Sequence, residues 1–438
     1  MRAPPAVLLL IAVACAGPTT DKGSVGQIDD STSVIDTGAP LEQVGGTGVI
    51  DTGPEPEDTD AGGYDGSENA DLYTLDRVVE LNITLSSAAM TSLSSDPRTF
   101  VEGAIDIDGD HLDSVGVRLG GKYGSSRTLS QKTGFVIDID RYDPKRDWRG
   151  LERLVVKNLV QDGSYVHERV AFQVYEAMGV PAPRVGYLWL KVNDVDFGLY
   201  ANMEAVDDRF LSRSYDDWSG NLYDGDYWLA PDWSYYVLLD FNTTTQDMMQ
   251  LEEGEDIGYA DVHAVTDAIN AANSGGSWMD DVGAVVDLEH HARYMAVEFW
   301  SGQYDGYSNY TNNYRVYFDP SDGKMRLSPW DHDWAFYDSN PMTPQYGLLS
   351  QGCFRDATCY ATFQAAVEEL CATLPGLDLQ TEISTATELL TPYIIDDPRK
   401  EVSAETAAYY QRRLRQWVDD RYAVLASSYG VSCPTPAE

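Results

Sequence analysis

Two carboxylates stand one residue apart at the end of the stretch NNYRVYFDPSDGKMRLSPWDHDW, which covers residues 312–334. Asp331 and Asp333 follow a run with strand-like composition, and side chains at positions i and i+2 of an extended chain share one face. Carboxylate oxygens placed in this way suit a hard cation such as Mg²⁺ or Mn²⁺. The same pair also fits the solvated end of a strand, so the choice depends on the residues that precede it.

Those residues predict a helix, a polar loop and a hairpin in turn. The run VVDLEHHARYMAVEFWSG carries apolar residues on one helical stripe, and the loop after it contains Asp305 near its start and Asn313 at its end. Two strand-like runs, 314–318 and 324–328, then flank the turn DPSDG. This part of the sequence therefore predicts a helix, an Asp-containing loop with a downstream Asn, a hairpin and then the carboxylate pair, in that order.

Protein kinases present a proton-accepting Asp, a metal-binding Asn and a metal-binding Asp in this order. The order predicts phosphoryl transfer, in which Asp305 accepts the hydroxyl proton or orients the nucleophile. Asn313 and Asp331, with or without Asp333, would hold the metal ion on the nucleotide phosphates. Three departures stand against the usual pattern: no His-Arg pair precedes Asp305, the Asn comes eight residues later instead of about five, and Trp-Asp-His-Asp replaces Asp-Phe-Gly.

The charge of the chain restricts its partners. Lys and Arg total 30 against 71 Asp and Glu, which gives a net charge of −41 over 438 residues. Such a surface repels nucleic acid and anionic lipid headgroups, so we expect neither as a partner. A phosphate-bearing ligand would need metal ions or a local cluster of the few basic residues.

The N-terminus predicts export. Residues 1–15 read as a signal peptide, because one Arg precedes an apolar run that is too short to span a bilayer. The segment Ala12–Cys15 is similar to a bacterial lipobox, which would leave Cys15 lipidated, and ordinary secretion is the alternative. Membrane contact is expected only through this anchor. Residues 16–70, rich in Gly, Thr, Asp and Pro, predict an acidic disordered linker.

The cysteines point in the same direction. Beyond Cys15 the chain has an even number of them, and an exported chain with four cysteines is expected to form two disulfides. Of three possible pairings we favour Cys353 with Cys359 and Cys371 with Cys433. No Cys-x-x-Cys motif occurs, which disfavours a zinc enzyme.

Along the rest of the chain, strands precede helices. Residues 71–203 predict a mostly antiparallel sheet with one inserted amphipathic helix, and an Asp108-Gly109 turn is favoured over a calcium loop there. Residues 204–438 predict a helical region that includes the loop and hairpin described above and ends in the cysteine-bearing helices. The predicted class is α+β, with a β-rich lobe followed by a helical one.

Several separate segments of the chain, in the same order, resemble the spore-coat protein H (CotH) kinase family. They include VGVRLGGKYG, QKTGFVIDID, GSYVHERVAFQVYEAMGVPAP, YDGYSNYTNN and LSPWDHDWAF. The resemblance runs from about residue 75 to residue 340. It implies a two-lobed atypical protein kinase that transfers phosphate from ATP to Ser residues of extracellular or surface proteins.

The resemblance also implies roles for residues outside the loop and hairpin. Lys132 would contact the nucleotide phosphates, and Glu168 would be its ionic partner; the alternatives are a strand-edge lysine and a solvated helix residue. Arg118 and the segment Gly120-Gly121-Lys122 would lie over the phosphates. Glu204, at the junction of the lobes, would contact the nucleotide or cap the hinge helix.

The function that these features predict is a metal-dependent protein kinase at the cell surface. It would use ATP with Mg²⁺ or Mn²⁺ and phosphorylate Ser or Thr of secreted or surface proteins. The alternative is a kinase-like lipoprotein without activity that serves as a scaffold or adhesin.

Overall fold

The computed structural model describes residues 64–337 and 340–433. The predicted signal peptide, the lipobox and the predicted linker up to residue 63 lie outside this part of the chain. Among the helices in the described ranges, none combines the length and the apolar character needed to cross a bilayer.

The last residues of the predicted linker are folded. A 3₁₀ helix spans Ser67–Tyr73, and Asn69 within it is fully buried. The Asn69 amide nitrogen donates to the carbonyl of Arg149 at 2.9 Å, and its amide oxygen accepts from Arg184 at 2.9 Å. The prediction of disorder up to residue 70 is therefore wrong for residues 64–70, because a buried amide with partners on both sides anchors this polar segment.

The N-terminal lobe is a closed seven-stranded barrel with the strand order β1-β2-β3-β4-β5-β7-β6. Six neighbouring pairs are antiparallel, and a parallel pairing of β1 with β6 closes the barrel. The predicted sheet was mostly antiparallel, and this parallel pairing is the feature that the sequence did not indicate. The strands are β1 Val79–Thr84, β2 Val101–Ile107, β3 Asp110–Gly120, β4 Gly134–Asp138, β5 Arg153–Lys157, β6 Val185–Val192 and β7 Val195–Met203.

Two tight turns fix the register of the long hairpins in this barrel. The predicted Asp108-Gly109 turn joins β2 to β3, with φ values of 53° and 92°. Asn193 and Asp194 join β6 to β7, with φ values of 51° and 63°. Positive φ at both central residues matches the twist of the flanking strands, which is why these dipeptides favour hairpins.

Two helices accompany the barrel, α1 Ser87–Ser95 and α2 His167–Ala177. The predicted amphipathic helix is α2, which packs against the helix Leu288–Ser301 of the second lobe. After α2 the chain changes direction at Gly179. The φ of Gly179 is 69°, a conformation that is unfavourable for residues with a Cβ. The helix α1 was not predicted from the sequence. The importance of α2 is that it carries Glu168 toward the second lobe.

The C-terminal lobe is mainly helical, which together with the barrel confirms the predicted α+β class. Its helices are α3 Asp208–Ser214, α4 Ala260–Asn273, α5 Leu288–Ser301, α6 Tyr307–Tyr310, α7 Leu348–Arg355, α8 Ala357–Thr373, α9 Leu379–Asp396 and α10 Ala404–Tyr429. The strands are β8 Leu222–Asp224, β9 Trp228–Leu229, β10 Tyr236–Val237, β11 Gln250–Glu253, β12 Tyr314–Asp319 and β13 Lys324–Pro329.

The predicted hairpin of this lobe is present as β12 and β13, but it belongs to a larger sheet. The order of that sheet is β11-β8-β12-β13. The sequence did not indicate β8 and β11, because strands of three and four residues are too short to show a period of two. The sheet holds the end of β13, and therefore Asp331, in a fixed place.

The helix α5 is the centre of the helical lobe. Nearly all of its residues are buried, and it packs chiefly against α8. It ends at Gly302, whose φ of 61° lets the chain leave the helix in a left-handed conformation. The loop that contains Asp305 therefore starts from a helix that is buried along nearly its whole length.

Both favoured disulfides are confirmed. Cys353 is bonded to Cys359, and Cys371 is bonded to Cys433. The second bond ties α8 to the residues that follow α10, across a separation of 62 residues.

Replacing Cys371 by Ser should lower the free energy of unfolding by up to about 4 kcal/mol, because the bond closes a long loop in the unfolded chain. Cys353→Ser is the matched comparison, since its loop spans six residues and should contribute only about 2 kcal/mol. Urea unfolding of both variants without reductant measures the difference. A larger loss in Cys353→Ser would contradict the loop argument.

Candidate active site

The ammonium group of Lys157 lies between two carboxylates at the junction of the lobes. Lys157 is the last residue of β5, and it forms ion pairs with Glu168 on α2 and with Asp331, which follows β13. The side chain of Glu168 is only 3% exposed, whereas that of Asp331 is 29% exposed. One cation thus joins the barrel, the helix and the end of the hairpin.

The predicted ion pair between Lys132 and Glu168 is wrong. Lys132 is fully enclosed, pairs instead with the buried carboxylate of Asp397, and donates to the carbonyl of Leu199 at 2.7 Å. Closure of the barrel directs Lys132 toward the residues after α9, and the next strand, β5, brings Lys157 to Glu168. Lys132 therefore joins the C-terminal helices to the barrel, and it is Lys157 that lies beside the carboxylates.

The charges around Lys157 are mutually dependent. Although burial lowers the pKa of the Lys157 ammonium, the carboxylates of Asp331, Glu168 and Asp333 raise it well above its usual value. Burial, and then the charge of Asp331, raises the pKa of Asp333 well above its usual range. In this arrangement Asp331 pairs with Lys157 at a partly exposed position, and Asp333 is buried.

Asp331 and Asp333 do not lie on a continuing strand. The strand β13 ends at Pro329, and Asp331 has a φ of 46°, which directs the chain into a 3₁₀ helix over His332–Trp334. The prediction that an extended backbone would place both side chains on one face is therefore wrong. The sharp turn separates the exposed carboxylate from the buried one.

Asp305 lies in the loop after α5, where its environment is unusual for a carboxylate. One of its oxygens is buried and has no hydrogen-bond partner. Burial, followed by the charges of Asp331 and Asp226, raises the pKa of Asp305 to about 7, against the effect of a hydrogen bond from Asn313. A carboxyl group with a pKa near neutrality and a free oxygen is suited to accept a proton.

Asn313 connects this loop to the hairpin. It is buried, has a φ of 55°, and donates from its backbone nitrogen to Asp226 at 3.1 Å. Its carbonyl accepts from the backbone nitrogen of Trp330 at 3.1 Å, directly before Asp331. The fold therefore brings Asp305, Asn313 and Asp331 together as the sequence predicted.

The glycine-containing loop between β3 and β4 lies against the helical lobe. Lys122 donates to Asp226 at 3.2 Å, and the backbone nitrogen of Tyr123 donates to the hydroxyl of Tyr227 at 3.0 Å. The rings of Tyr123 and Tyr227 are stacked with centroids 6.2 Å apart. Sequence reasoning missed Asp226 and Tyr227, because their roles arise only from contacts more than 80 residues away along the chain.

Arg118 projects from β3 on the outer face of the barrel, since Val117 and Leu119 on either side of it are in the barrel core. Its guanidinium stands over the ring of Phe100 at 5.3 Å. Burial, and then the nearby charges of Arg98 and Arg153, lowers the pKa of Arg118 to about 10. A half-buried cation in these surroundings is suited to an anionic ligand.

Glu204 directly follows β7 and is already engaged by the protein. Its carboxylate pairs with Arg184 at 2.7 Å and with Arg213 at 3.0 Å, and it also accepts from the backbone nitrogen of Arg184. Arg184 in turn donates to the carbonyl of Gly66 at 2.9 Å. Neither predicted role of Glu204 is found, because both carboxylate oxygens are engaged by the arginines and the residue that caps the following helix α3 is Asp207.

The sequence model of the CotH kinase protein family matches residues 117–425, which is more than half of the chain. The chain belongs to the CotH kinase protein family. The match includes the barrel from the end of β3 onward, the Asp305 loop, the hairpin and most of the C-terminal helices. A kinase-like phosphotransferase with the predicted two-lobed fold is therefore the class to which this site belongs.

The chain is similar to a curated member of this family, inner spore coat protein H of Bacillus subtilis strain 168. The two are 20% identical over 309 residues, which cover 66% of this chain and 83% of the relative.

Two solved structures are also similar to this chain. HipA from the Shewanella oneidensis MR-1 toxin–antitoxin complex is 13% identical, with a TM-score of 0.27 and coverage of 80% of this chain and 74% of its own. The Helicobacter pylori proinflammatory kinase CtkA is 10% identical, with a TM-score of 0.27 and coverage of 63% and 90%. At these TM-scores the likeness supports no statement about function.

The family suggests ATP and a divalent cation, and the residues of the cleft fit both. Lys157 interacts electrostatically with the carboxyl groups of Glu168, Asp331 and Asp333. Asp305 in turn lies near Asp331 and Asp333. Within residues 64–337 and 340–433, no three acidic, His or Cys side chains form a metal site by themselves. This donor set suits Mg²⁺, which is usually held by one or two carboxylates together with substrate phosphates and water.

Proposed function

We propose that this protein is a metal-dependent atypical protein kinase of the cell surface. It transfers the γ-phosphate of ATP to Ser or Thr of secreted or surface proteins. The observation that carries the proposal is the ion pair between Lys157 and Glu168 beside Asp331. In protein kinases a strand lysine paired with a helix glutamate, next to a metal-binding Asp, is the arrangement required for transfer.

Each group then has a defined task. Lys157 contacts the nucleotide phosphates, and Glu168 holds the lysine in place. Asp331 and Asn313 would hold Mg²⁺ or Mn²⁺, which would offset the charge of the phosphates. Asp333 is buried in the 3₁₀ helix that follows Asp331. Phosphoryl transfer needs positioning and charge stabilisation more than a covalent nucleophile, and these residues supply both.

Two cationic groups complete the phosphate site in this proposal. Arg118 on the outer face of β3 and Lys122 in the segment 120–122 would supply this positive charge. Lys122 is held on Asp226, which also accepts from the backbone of Asn313. The loop thus closes over the same part of the cleft in which Asn313 and Asp331 would hold the metal ion.

Asp305 accepts the proton of the acceptor hydroxyl. Its free oxygen and a pKa near 7 allow it to take up this proton at neutral pH. The hydrogen bond with Asn313 would keep the base next to the metal ligand. The proton, the acceptor oxygen and the γ-phosphate can then be aligned in one place.

A location outside the cytoplasm is supported by the two disulfides, which are rare in reducing compartments. The curated relative is named as a spore coat protein. The lipid anchor on Cys15 remains a prediction from the sequence. The net charge of −41 agrees with a protein acceptor and not with nucleic acid.

Replacing Asp331 by Ala should remove the metal-dependent part of ATP binding. Wild-type protein with Mg²⁺ and ATP at about 100 times the Kd should gain about 2.7 kcal/mol of stability by mass action, and the variant should gain far less. Thermal unfolding with ATP, with and without Mg²⁺, tests this. The matched control is Asp322→Ala in the β12–β13 turn, which should behave like wild type. Equal metal-dependent stabilisation in Asp331→Ala would contradict the proposed metal site.

A further inference from the structure

The segment before Asp305 is joined to the segment after Asp331 by three hydrogen bonds. The carbonyl of Ser301 accepts from the backbone nitrogen of Phe336 at 2.6 Å, and the backbone nitrogen of Tyr304 donates to the carbonyl of Trp334 at 3.2 Å. The third bond uses a side chain: Nε2 of Gln303 donates to the carbonyl of Asp331 at 2.9 Å. This bond links the proposed base loop directly to the proposed metal ligand.

Gln303 is fully buried, and its backbone makes hydrogen bonds on both sides. Its backbone nitrogen donates to the carbonyl of Glu298 at the end of α5, at 3.1 Å. Its own carbonyl accepts from Nδ2 of Asn309 at 3.1 Å. The loop backbone on which the Gln303 side chain stands is therefore fixed on both sides.

The buried amide of Gln303 has only part of its hydrogen-bonding capacity used. Its oxygen Oε1 is buried and has no partner. An unsatisfied buried polar atom costs about 1–3 kcal/mol, so an apolar side chain of the same size would serve the core better. Stability alone does not account for an amide at this position, whereas the bond from Nε2 to Asp331 does.

The carbonyl that accepts this bond belongs to a residue in an uncommon conformation. Asp331 has a φ of 46°, a left-handed conformation that is uncommon for residues other than Gly, although Asn and Asp adopt it more often than most. Such a conformation persists only where the surroundings impose it. The donor from Gln303 stabilises the peptide that follows Asp331 in this orientation, at the residue whose carboxylate pairs with Lys157.

We infer that Gln303 is a positioning residue that fixes Asp331 relative to Asp305. The inference rests on the proposed function and extends it to a residue that touches neither nucleotide nor acceptor. If the bond sets the orientation of the metal ligand, its loss should impair use of the metal and the transfer step while leaving the ATP contacts of Lys157 in place.

Gln303→Met in the full chain removes the donor and keeps the length of the side chain. We expect kcat to fall about 10- to 100-fold and the Mg²⁺ concentration for half-maximal activity to rise, as for other residues that support a metal ligand. The KM for ATP at saturating Mg²⁺ should stay within about twofold of wild type, because its contacts are otherwise unchanged.

The matched control is Gln411→Met. Gln411 is also buried, and its Nε2 donates to the carbonyl of Ser164 at 3.1 Å, away from Asp305 and Asp331. This variant should lose stability without a change in kcat or in the Mg²⁺ requirement. Gln303→Asn serves as a second variant, since its shorter amide cannot reach the Asp331 carbonyl and should give the same kinetic change.

The outcomes separate this inference from the proposed function. A wild-type chain that neither binds ATP with Mg²⁺ nor transfers phosphate overturns both. Active wild-type protein together with wild-type kcat and Mg²⁺ requirement in both Gln303 variants overturns the positioning role alone. A kinetic loss in Gln303→Met that Gln411→Met reproduces would assign it to general destabilisation and would also overturn the inference.

Discussion

Replacing Lys157 by Met should lower the rate of phosphate transfer by about two to three orders of magnitude, as for the loss of one preorganised electrostatic contact in an enclosed site. The ammonium is expected to contact the phosphates, and it also offsets the charges of Glu168 and Asp331. Methionine fills much of the same volume without the charge. Transfer from γ-labelled ATP to an acceptor protein measures the loss.

Lys132→Met is the matched variant for this experiment. Lys132 is more deeply buried than Lys157, and its removal leaves the carboxylate of Asp397 without its cation. We expect a loss of about 3–5 kcal/mol in the free energy of unfolding, as for other broken buried ion pairs. The transfer rate of the folded protein should stay close to wild type. The opposite pattern, with activity lost in Lys132→Met and kept in Lys157→Met, would contradict the assignment.

The second large effect is expected for Asp305→Asn. This change removes the proton acceptor and preserves its size, so the transfer rate should fall by roughly two to four orders of magnitude. ATP affinity should change little, because the nucleotide and the metal are held by other residues. In wild type the rate should fall as the pH drops below about 7, because the carboxyl group then becomes protonated. The variant should lack this dependence.

Asp267 lies on the exposed face of α4, and Asp267→Asn is the control for an Asp-to-Asn change outside the site. It should retain the wild-type rate and pH profile. Full activity in Asp305→Asn would show that another group accepts the proton. A parallel loss of ATP affinity would instead place Asp305 among the nucleotide contacts.

The parts of the fold that depend on local sequence could be predicted. The Asp108-Gly109 turn, the helices α2 and α5 and the hairpin β12–β13 each carry a periodicity or a turn dipeptide within a few residues. The order of Asp305, Asn313 and Asp331 was read from the same local features. Because these elements are consecutive and packed on one helix, the order along the chain also brought the side chains together in space.

The periodicity of the strands did not show which lysine, Lys132 or Lys157, pairs with Glu168. Both Lys132 and Lys157 adjoin short apolar strands, and their surroundings depend on how the barrel closes. One signal in the sequence does favour Lys157, since its strand is the one that leads directly into the helix with Glu168, 11 residues later. The parallel pairing of β1 and β6 had no local signal, and neither did the contacts of Asp226 or Gln303.

The central claim is tested most directly by incubating the full-length protein with γ-³²P-ATP, Mn²⁺ or Mg²⁺ and secreted proteins of the source organism. We expect metal-dependent label on Ser or Thr of one or more of these proteins, and its loss in Asp305→Asn. Metal-dependent ATP binding without any transfer would contradict the kinase proposal and favour a kinase-like binding protein.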